Sequence, residues 1–127
     1  MIFVDSNVFI YAVGRAHPLK RKARKFFLDS RKKNLRLVTS AEVLQELLHV
    51  YLPVERMDTL DAAMALATSG TDAVIPITGE DVALARSLAD NNPHLSARDL
   101  LHLATCRRHG IAKVITFDRS LAAAFSK

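Results

Sequence analysis

The N-terminal stretch Met1-Ile-Phe-Val-Asp-Ser-Asn-Val-Phe-Ile-Tyr-Ala12 decides the fold of this chain. Its first apolar run is rich in residues that favour β-strands and ends abruptly at Asp5. Ser6 and Asn7 then supply the side-chain chemistry of a helix N-cap ahead of a second apolar run. A buried strand followed directly by a helix is typical of an open α/β sheet, and this one carries a carboxylate at its C-terminal tip.

Asp5 has two interpretations on this stretch alone. A carboxylate at the end of a parallel strand lies in the crevice where α/β proteins bind their ligands. The same carboxylate can instead cap the helix that follows it. The choice depends on which other residues reach the same edge of the sheet.

Length and composition indicate one domain, residues 1–127, with a real hydrophobic core. Cys106 is the only cysteine, which excludes an intrachain disulfide and a metal site of several thiolates, so we expect it to pack as a small apolar residue. The N-terminus lacks the basic region of a signal peptide, and no apolar run approaches the roughly 20 residues that span a bilayer. The sequence therefore predicts a cytoplasmic protein with no membrane partner.

Helical and strand patterns alternate along the rest of the chain. The predicted helices cover approximately 19–33, 41–52, 54–68, 80–90, 96–109 and 120–127, and the predicted later strands are Leu35–Thr39, Ala73–Ile77 and Lys113–Phe117. In the second of these helices the apolar stripe consists of Leu44, Leu47, Leu48 and Tyr51. The alternation predicts a three-layer α/β/α domain with a mainly parallel central sheet of about four strands.

Four acidic residues are predicted to converge at one edge of this sheet. Asp5 and Asp118 each end a strand, and right-handed crossovers place the C-terminal ends of parallel strands together. Asp99 lies among apolar positions near the start of a helix that enters from the same edge, and Glu46 lies with Glu42 on the polar side of the helix after the second strand. Close carboxylates repel by about 4 kcal/mol per pair at an effective dielectric of about 20, so they must bind protons, basic side chains or a metal.

The charge pattern favours a metal and a phosphate-containing substrate. Arg98 and Arg119 adjoin two of the acids and can neutralise them, but oxygen ligands with few histidines suit Mg²⁺, with Mn²⁺ as a substitute. The segment from Arg15 to Arg36 holds ten of the eighteen basic residues and a single acid, which makes it either a phosphate-binding face or a solvated surface. An acidic metal pocket beside a basic helix is expected for phosphodiester hydrolysis.

Four local motifs occur in order along the chain. They are Val4-Asp5-Ser6-Asn7-Val8, Ser40-Ala41-Glu42-Val43-Leu44-Gln45-Glu46-Leu47-Leu48, Ser96-Ala97-Arg98-Asp99-Leu100-Leu101-His102-Leu103-Ala104-Thr105 and Ile115-Thr116-Phe117-Asp118. With these motifs the chain resembles the PIN-domain ribonucleases over essentially its whole length, and most closely the VapC-like toxins of type II toxin–antitoxin pairs. Ser6 stands where the family pattern has Thr, an exchange that keeps the hydroxyl.

The resemblance implies a Mg²⁺-dependent endoribonuclease that leaves a 5′-phosphate and a 3′-hydroxyl. Its site would use Asp5 and Asp99 as the principal Mg²⁺ ligands, Glu46 as the third acid and Asp118 as the fourth. Glu42 remains the alternative for the third acid. Glu46 is preferred because it lies six residues after Ser40, the spacing usual in the family.

Other polar residues receive supporting roles or none. Asn7 and Thr116 are predicted to orient carboxylates or water through hydrogen bonds. With Asp5 assigned to the metal, capping of the first helix is predicted to pass to Ser6 and Asn7. The resemblance gives His49 and His102 no catalytic role, and structural or surface positions are expected for both.

The resemblance also implies an RNA substrate, such as a tRNA or rRNA, a homodimer, and a cognate antitoxin inserted near the acidic cleft. We expect Lys20, Arg21, Arg24 and Lys25 to bind the RNA backbone. Three alternatives remain: an RNA-processing nuclease without an antitoxin, a non-catalytic PIN module that binds RNA or protein, and a receiver-like signalling domain. The last would need paired acids after the first strand, where this chain has Asp5 alone.

Overall fold

The apolar run at the N-terminus forms an interior strand of a four-stranded sheet in the computed structural model, which describes residues 1–127. The strands are β1 (Ile2–Val4), β2 (Leu37–Ser40), β3 (Ala73–Ile75) and β4 (Lys113–Ile115). Their order is β3-β2-β1-β4, and every neighbouring pair is parallel. Phe3 lies opposite Val38 on one side and Val114 on the other. The predicted α/β architecture is therefore confirmed, with a sheet that is wholly parallel.

Seven α-helices flank this sheet. They are α1 (Ser6–Val13), α2 (Pro18–Lys32), α3 (Ala41–Tyr51), α4 (Met57–Ser69), α5 (Gly79–Leu88), α6 (Ala97–Arg108) and α7 (Arg119–Phe125). Ser40 and Ser96 cap α3 and α6 by accepting hydrogen bonds from backbone N–H groups in the first turn, as their positions predict. No helix combines enough length with enough apolar character to cross a membrane.

Three strands differ from their predicted boundaries for identifiable reasons. Strand β2 begins two residues later than predicted, because Asn34 has a left-handed backbone (φ 52°) and the Leu35 N–H donates to the carbonyl of Ser30 instead of joining the sheet. Strand β3 stops before Pro76, which has no N–H to donate to a neighbouring strand. Strand β4 stops at Ile115 because the next residues turn towards the N-terminus of α1.

The hydrophobic core lies between the sheet and its helices, and α3 contributes a narrower stripe to it than predicted. Val43, Leu47 and Tyr51 recur every four residues and are buried. Leu48, which we expected in this stripe, is 37% exposed, since it lies one residue and about 100° around the helix from Leu47. Cys106 is completely buried in the core, as predicted for a packed apolar residue.

This difference between adjacent leucines gives a stability prediction. Leu47→Ala should lower the free energy of unfolding by about 2–5 kcal/mol, because it leaves a cavity in a closely packed core. Leu48→Ala is the matched control and should change the same quantity by no more than about 0.5 kcal/mol. Urea titrations followed by circular dichroism measure both values. Equal effects of the two substitutions would contradict the observed orientation of α3.

Candidate active site

Three side chains at the C-terminal edge of the sheet form a tight polar group. Asp5 follows β1, Glu46 lies in the second turn of α3, and His102 projects from α6. Their potential ligand atoms all lie within 4.8 Å of one another. The fold therefore brings together two of the four predicted acids and His102, for which a structural or surface position was expected.

Asp5 is buried, with 4% of its surface exposed, and both of its carboxylate oxygens are occupied. Oδ1 accepts a hydrogen bond from the Ser6 N–H (2.8 Å), and Oδ2 accepts one from the Thr116 hydroxyl (2.7 Å). The first of these bonds makes Asp5 the N-cap of α1. The prediction that capping passes to Ser6 and Asn7 is wrong, because the last extended residue of the strand is also the residue that precedes the helix. Cap and site are compatible functions of one carboxylate, since each oxygen keeps a further lone pair.

Glu46 lies near Asp5 and is held by the hydroxyl of Ser6. That hydroxyl donates to Glu46 Oε2 over 3.0 Å and lies 3.5 Å from Asp5 Oδ1. The other oxygen, Oε1, lies 2.5 Å from His102 Nε2. Glu42 instead faces Arg98, with 3.8 Å between Oε1 and Nε. Of the two glutamates proposed for the third acid, Glu46 is the one that reaches Asp5.

His102 lies between the two carboxylates and is 1% exposed. Its Nε2 atom is 3.6 Å from Asp5 Oδ1, and its ring packs against Phe3 with 5.4 Å between centroids. The sequence contained one usable signal: His102 is three residues after Asp99, a spacing that places both on one helix face. A buried histidine on an apolar helix is more often a structural residue. For that reason His102 was not among the predicted site residues.

The ionisation of these groups reflects crowded negative charge in a poorly solvated pocket. Burial raises the pKa of Asp5, and the nearby Glu46 charge adds to the effect, against the opposing influence of His102. Burial, followed by the charges of Asp118 and Asp5, also raises the pKa of Asp99. For Glu46 the hydrogen bond and charge of His102 outweigh burial and lower the pKa.

The pKa of His102 is raised by the same contacts that lower the pKa of Glu46. Burial alone would lower the pKa of His102, but its hydrogen bond to Glu46 and the Asp5 charge outweigh it and raise the pKa. Burial and neighbouring acids thus disfavour the charged forms of Asp5 and Asp99, whereas His102 favours the charged form of Glu46.

Thr116 connects the acidic group to the segment after β4. Its hydroxyl donates to Asp5 while accepting from Asn7 Nδ2 (3.2 Å) and from the Asp118 N–H (3.0 Å). Asn7 Oδ1 in turn accepts from the Phe117 N–H (3.1 Å). The two residues predicted to orient carboxylates thus form one network, with Thr116 in direct contact with Asp5 and Asn7 one step removed.

Asp99 and Asp118 lie at the same edge but outside the tight group. The Asp118 charge is among the causes that raise the pKa of Asp99, which places the two acids near one another. Asp118 Oδ1 accepts from the N–H groups of Ser120 and Leu121 and so caps α7. Both acids are half-buried.

The basic helix α2 divides its predicted RNA-binding residues into two pairs. Lys20 Nζ donates to the carbonyl of Gly14 (2.6 Å), and Arg24 Nε donates to that of Ala12 (2.9 Å). These bonds satisfy carbonyls at the end of α1, where positive charge is favourable. Arg21 and Lys25 are exposed and make no side-chain hydrogen bond or ion pair. Half of the predicted set therefore has a structural use, and half is available to a ligand.

Aromatic contacts link the start of α2 to the acidic edge. Tyr11 packs against His17, the N-cap of α2, with 4.5 Å between ring centroids. It also packs edge-on against Phe117, with 5.5 Å between centroids. Because Phe117 lies between Thr116 and Asp118, the first turns of α2 are on the side of the molecule that carries the acids.

Comparison with known proteins agrees with this arrangement. Residues 2–125 match the PIN domain family model. The chain is 54% identical over 125 residues to ribonuclease VapC23 of Mycobacterium tuberculosis, and the alignment covers 98% of each protein. The crystal structure of VapC20 of M. tuberculosis, a sarcin-ricin loop cleaving toxin, superposes with a TM-score of 0.83 at 21% identity, over 98% of this chain and 95% of that one.

A further structural match is VapBC2 from Rickettsia felis, solved bound to a DNA fragment from its promoter. It has a TM-score of 0.67 and 15% identity, over 93% of this chain and 88% of that one. The two structural matches share the fold, whereas the family match and the sequence identity to VapC23 extend over nearly all residues. The chain therefore belongs to the PIN-domain family, as a ribonuclease toxin of the VapC type.

Proposed function

We propose that residues 1–127 act as one domain that hydrolyses RNA phosphodiester bonds at a metal site formed by Asp5, Glu46, Asp99 and Asp118. One observation carries this proposal: the carboxylates of Asp5 and Glu46 lie within 4.8 Å of each other at the C-terminal edge of the sheet, with side chains that are only 6% and 15% exposed. Two carboxylates this close repel one another unless a proton, a basic side chain or a cation offsets their charge, and a bound cation between them would do so.

The residues present fit a hard divalent cation. Oxygen ligands predominate, and a bound cation would favour the charged forms of Asp5 and Asp99, whose pKa values are raised by burial and by neighbouring acids. We propose Mg²⁺, with Mn²⁺ as a substitute. When bound, the cation supplies charge stabilisation for the phosphate oxygens and a more acidic water.

The protein's own groups would prepare the reaction by holding the carboxylates in place. Thr116 and the Ser6 N–H fix the two oxygens of Asp5, and Asn7 fixes Thr116. These bonds exist before any substrate arrives, so little reorganisation is needed during the reaction. The exposed cations of α2 would hold the RNA backbone beside the acids.

Cleavage assays on purified protein test this function. A panel of tRNA and rRNA fragments should be cut in Mg²⁺, but not in EDTA, and not by Asp5→Ala or Asp99→Ala. The products should carry 5′-phosphate and 3′-hydroxyl ends. Equal cleavage by the wild type and both variants would refute the site. Binding of RNA without any cleavage would instead favour the non-catalytic alternative.

Arg21 and Lys25 give a separate prediction for RNA binding. Replacing both with Gln should weaken binding and reduce the slope of log K against log[salt] by about 1.4, because each phosphate contact with a single strand contributes about 0.7. Arg31→Gln with Lys32→Gln removes the same charge from the other end of α2 and serves as the control. Lys20 and Arg24 stay unchanged, since they bond to the end of α1. An unchanged slope would identify Arg21 and Lys25 as solvated surface residues.

We further propose that the protein forms a homodimer and binds a cognate antitoxin, in line with its similarity to VapC proteins and to VapBC2. Three adjacent apolar side chains support an interface: Leu52, Val54 and Met57 are 47%, 60% and 48% exposed. Light scattering should give the mass of a dimer for the wild type and of a monomer for Val54→Asp.

A gene for a small antitoxin beside the gene for this protein would distinguish a toxin from an RNA-processing nuclease.

A further inference from the structure

We propose that His102 is a positioning residue that holds Glu46 in place for metal binding and is not itself a metal ligand. This inference rests on the proposed metal-dependent function. It concerns the one member of the tight group that is neither acidic nor part of the predicted site. Two possibilities must be separated, because Nε2 of His102 is within 4.8 Å of both carboxylates and could in principle share their metal.

The first argument is the way Glu46 is anchored. His102 Nε2 lies against Oε1, while the Ser6 hydroxyl donates to Oε2. A carboxylate with one donor on each oxygen cannot rotate about its terminal bond without losing a hydrogen bond. Its remaining lone pairs are then directed at a fixed place beside Asp5, as required of a carboxylate that must accept a cation.

The second argument concerns the other ring nitrogen. His102 Nδ1 is buried and has no hydrogen-bond partner. A histidine that binds metal through one nitrogen almost always donates its other N–H to a carboxylate, a carbonyl or water. Coordination through Nε2 would place a proton on Nδ1 and bury it without an acceptor, which is unfavourable. With the proton on Nε2, the same atom donates to Glu46, and Nδ1 is left as a bare acceptor.

The third argument is the surroundings of the ring. The imidazole is 1% exposed and packs against Phe3 in the centre of the sheet. A ring enclosed in this way keeps Nε2 against Glu46, which suits a fixed donor.

Pulsed electron paramagnetic resonance on the Mn²⁺-loaded protein tests the assignment directly. Electron spin-echo modulation from a coordinated imidazole nitrogen is readily recognised, and we expect it to be absent from the wild type. A clear ¹⁴N signal that disappears in His102→Gln would overturn the assignment while leaving the metal site intact. Failure of the wild type to bind Mn²⁺ at all would refute the proposed metal-dependent function, and this inference with it.

Two variants provide a second readout. His102→Leu removes the donor and should weaken Mn²⁺ and Mg²⁺ binding equally, by roughly 10–100-fold, as for other groups that orient ligands. His102→Gln keeps an N–H donor in reach of Glu46 and should restore both affinities to within a few-fold of the wild type. A selective loss of Mn²⁺ affinity in His102→Gln would indicate a lost nitrogen ligand and contradict the proposal. Circular dichroism melts show whether His102→Leu folds. If it does not fold, the Mn²⁺ and Mg²⁺ affinities of His102→Gln and the wild type still test whether His102 is a metal ligand.

Discussion

Asp99→Asn is expected to reduce RNA cleavage at least about a thousandfold while raising the thermal stability of the metal-free protein. The loss of activity would follow from removing one proposed ligand of a cation that provides several kcal/mol of charge stabilisation, since each 1.36 kcal/mol is a factor of ten in rate. The gain in stability follows because Asn carries no charge. It avoids the cost of burying a carboxylate beside Asp118 and Asp5, which is the cost that raises the pKa of Asp99.

The pH dependence of this stability difference has a definite sign. An acid whose pKa is raised on folding binds its proton more tightly in the folded state, so the stability that it contributes is full below its unfolded pKa of 3.8. That contribution is lost as the pH rises through the folded pKa, and Asp99→Asn does not lose it. The variant should therefore melt higher than the wild type at pH 7 in EDTA, and the gap should narrow as the pH falls towards 3.8.

Asp61→Asn is the control for both effects, since Asp61 is exposed on α4 and has no ion-pair partner. It should leave cleavage and melting temperature close to those of the wild type. A variant at Asp99 that melts lower than the wild type at pH 7 would contradict the proposed charge crowding. Unimpaired cleavage would remove Asp99 from the metal site.

Glu46→Gln is expected to reduce cleavage at least about a hundredfold, whereas Glu42→Gln should leave it within a few-fold of the wild type. Glu46 offers two anionic oxygens held by Ser6 and His102, whereas Gln offers a single neutral oxygen, which is a weaker ligand for a hard cation. Glu42 faces Arg98 across 3.8 Å and does not reach Asp5. Cleavage rates under single-turnover conditions compare the two, and the reverse order would transfer the third acid to Glu42.

The stability of Glu46→Gln should change in the opposite direction to that of Asp99→Asn. Burial works against ionised Glu46, but His102 outweighs it and lowers the pKa below 4.5. A lowered pKa means that stability is present above the unfolded value and is lost as the pH falls through the folded one. Glu46→Gln should therefore melt lower than the wild type at pH 7 in EDTA. Opposite shifts for two acids of one site would be hard to explain by general damage to the fold.

The sequence was sufficient for features that depend on chain order. Asp5 and Asp118 could be placed at one edge because each follows a strand, and parallel strands end together. Asp99 followed from an acid among apolar positions, and its half-buried carboxylate near Asp118 agrees with that reasoning. The family motifs then supplied Glu46.

Features that depend on packing could not be obtained in this way. The position of His102 between the acids depends on how α6 crosses α3, which periodicity does not reveal. Leu48 and Leu47 are equally apolar, and only the angle of α3 against its neighbours decides that Leu48 faces solvent. The use of Lys20 and Arg24 at the end of α1 depends on the turn between two helices, and a charge count cannot detect it.

The pairing of β4 with β1 has a consequence for how the protein is made. Asp5 emerges from the ribosome almost at once, but the hydroxyl that holds its Oδ2 atom belongs to Thr116, in the last-made strand region. A nascent chain that ends before residue 113 lacks both β4 and Asp118, the fourth predicted acid. The proposed metal site is thus divided between the first and last parts of the chain to be translated, so we expect RNA cleavage only after residues 113–118 are synthesised and docked.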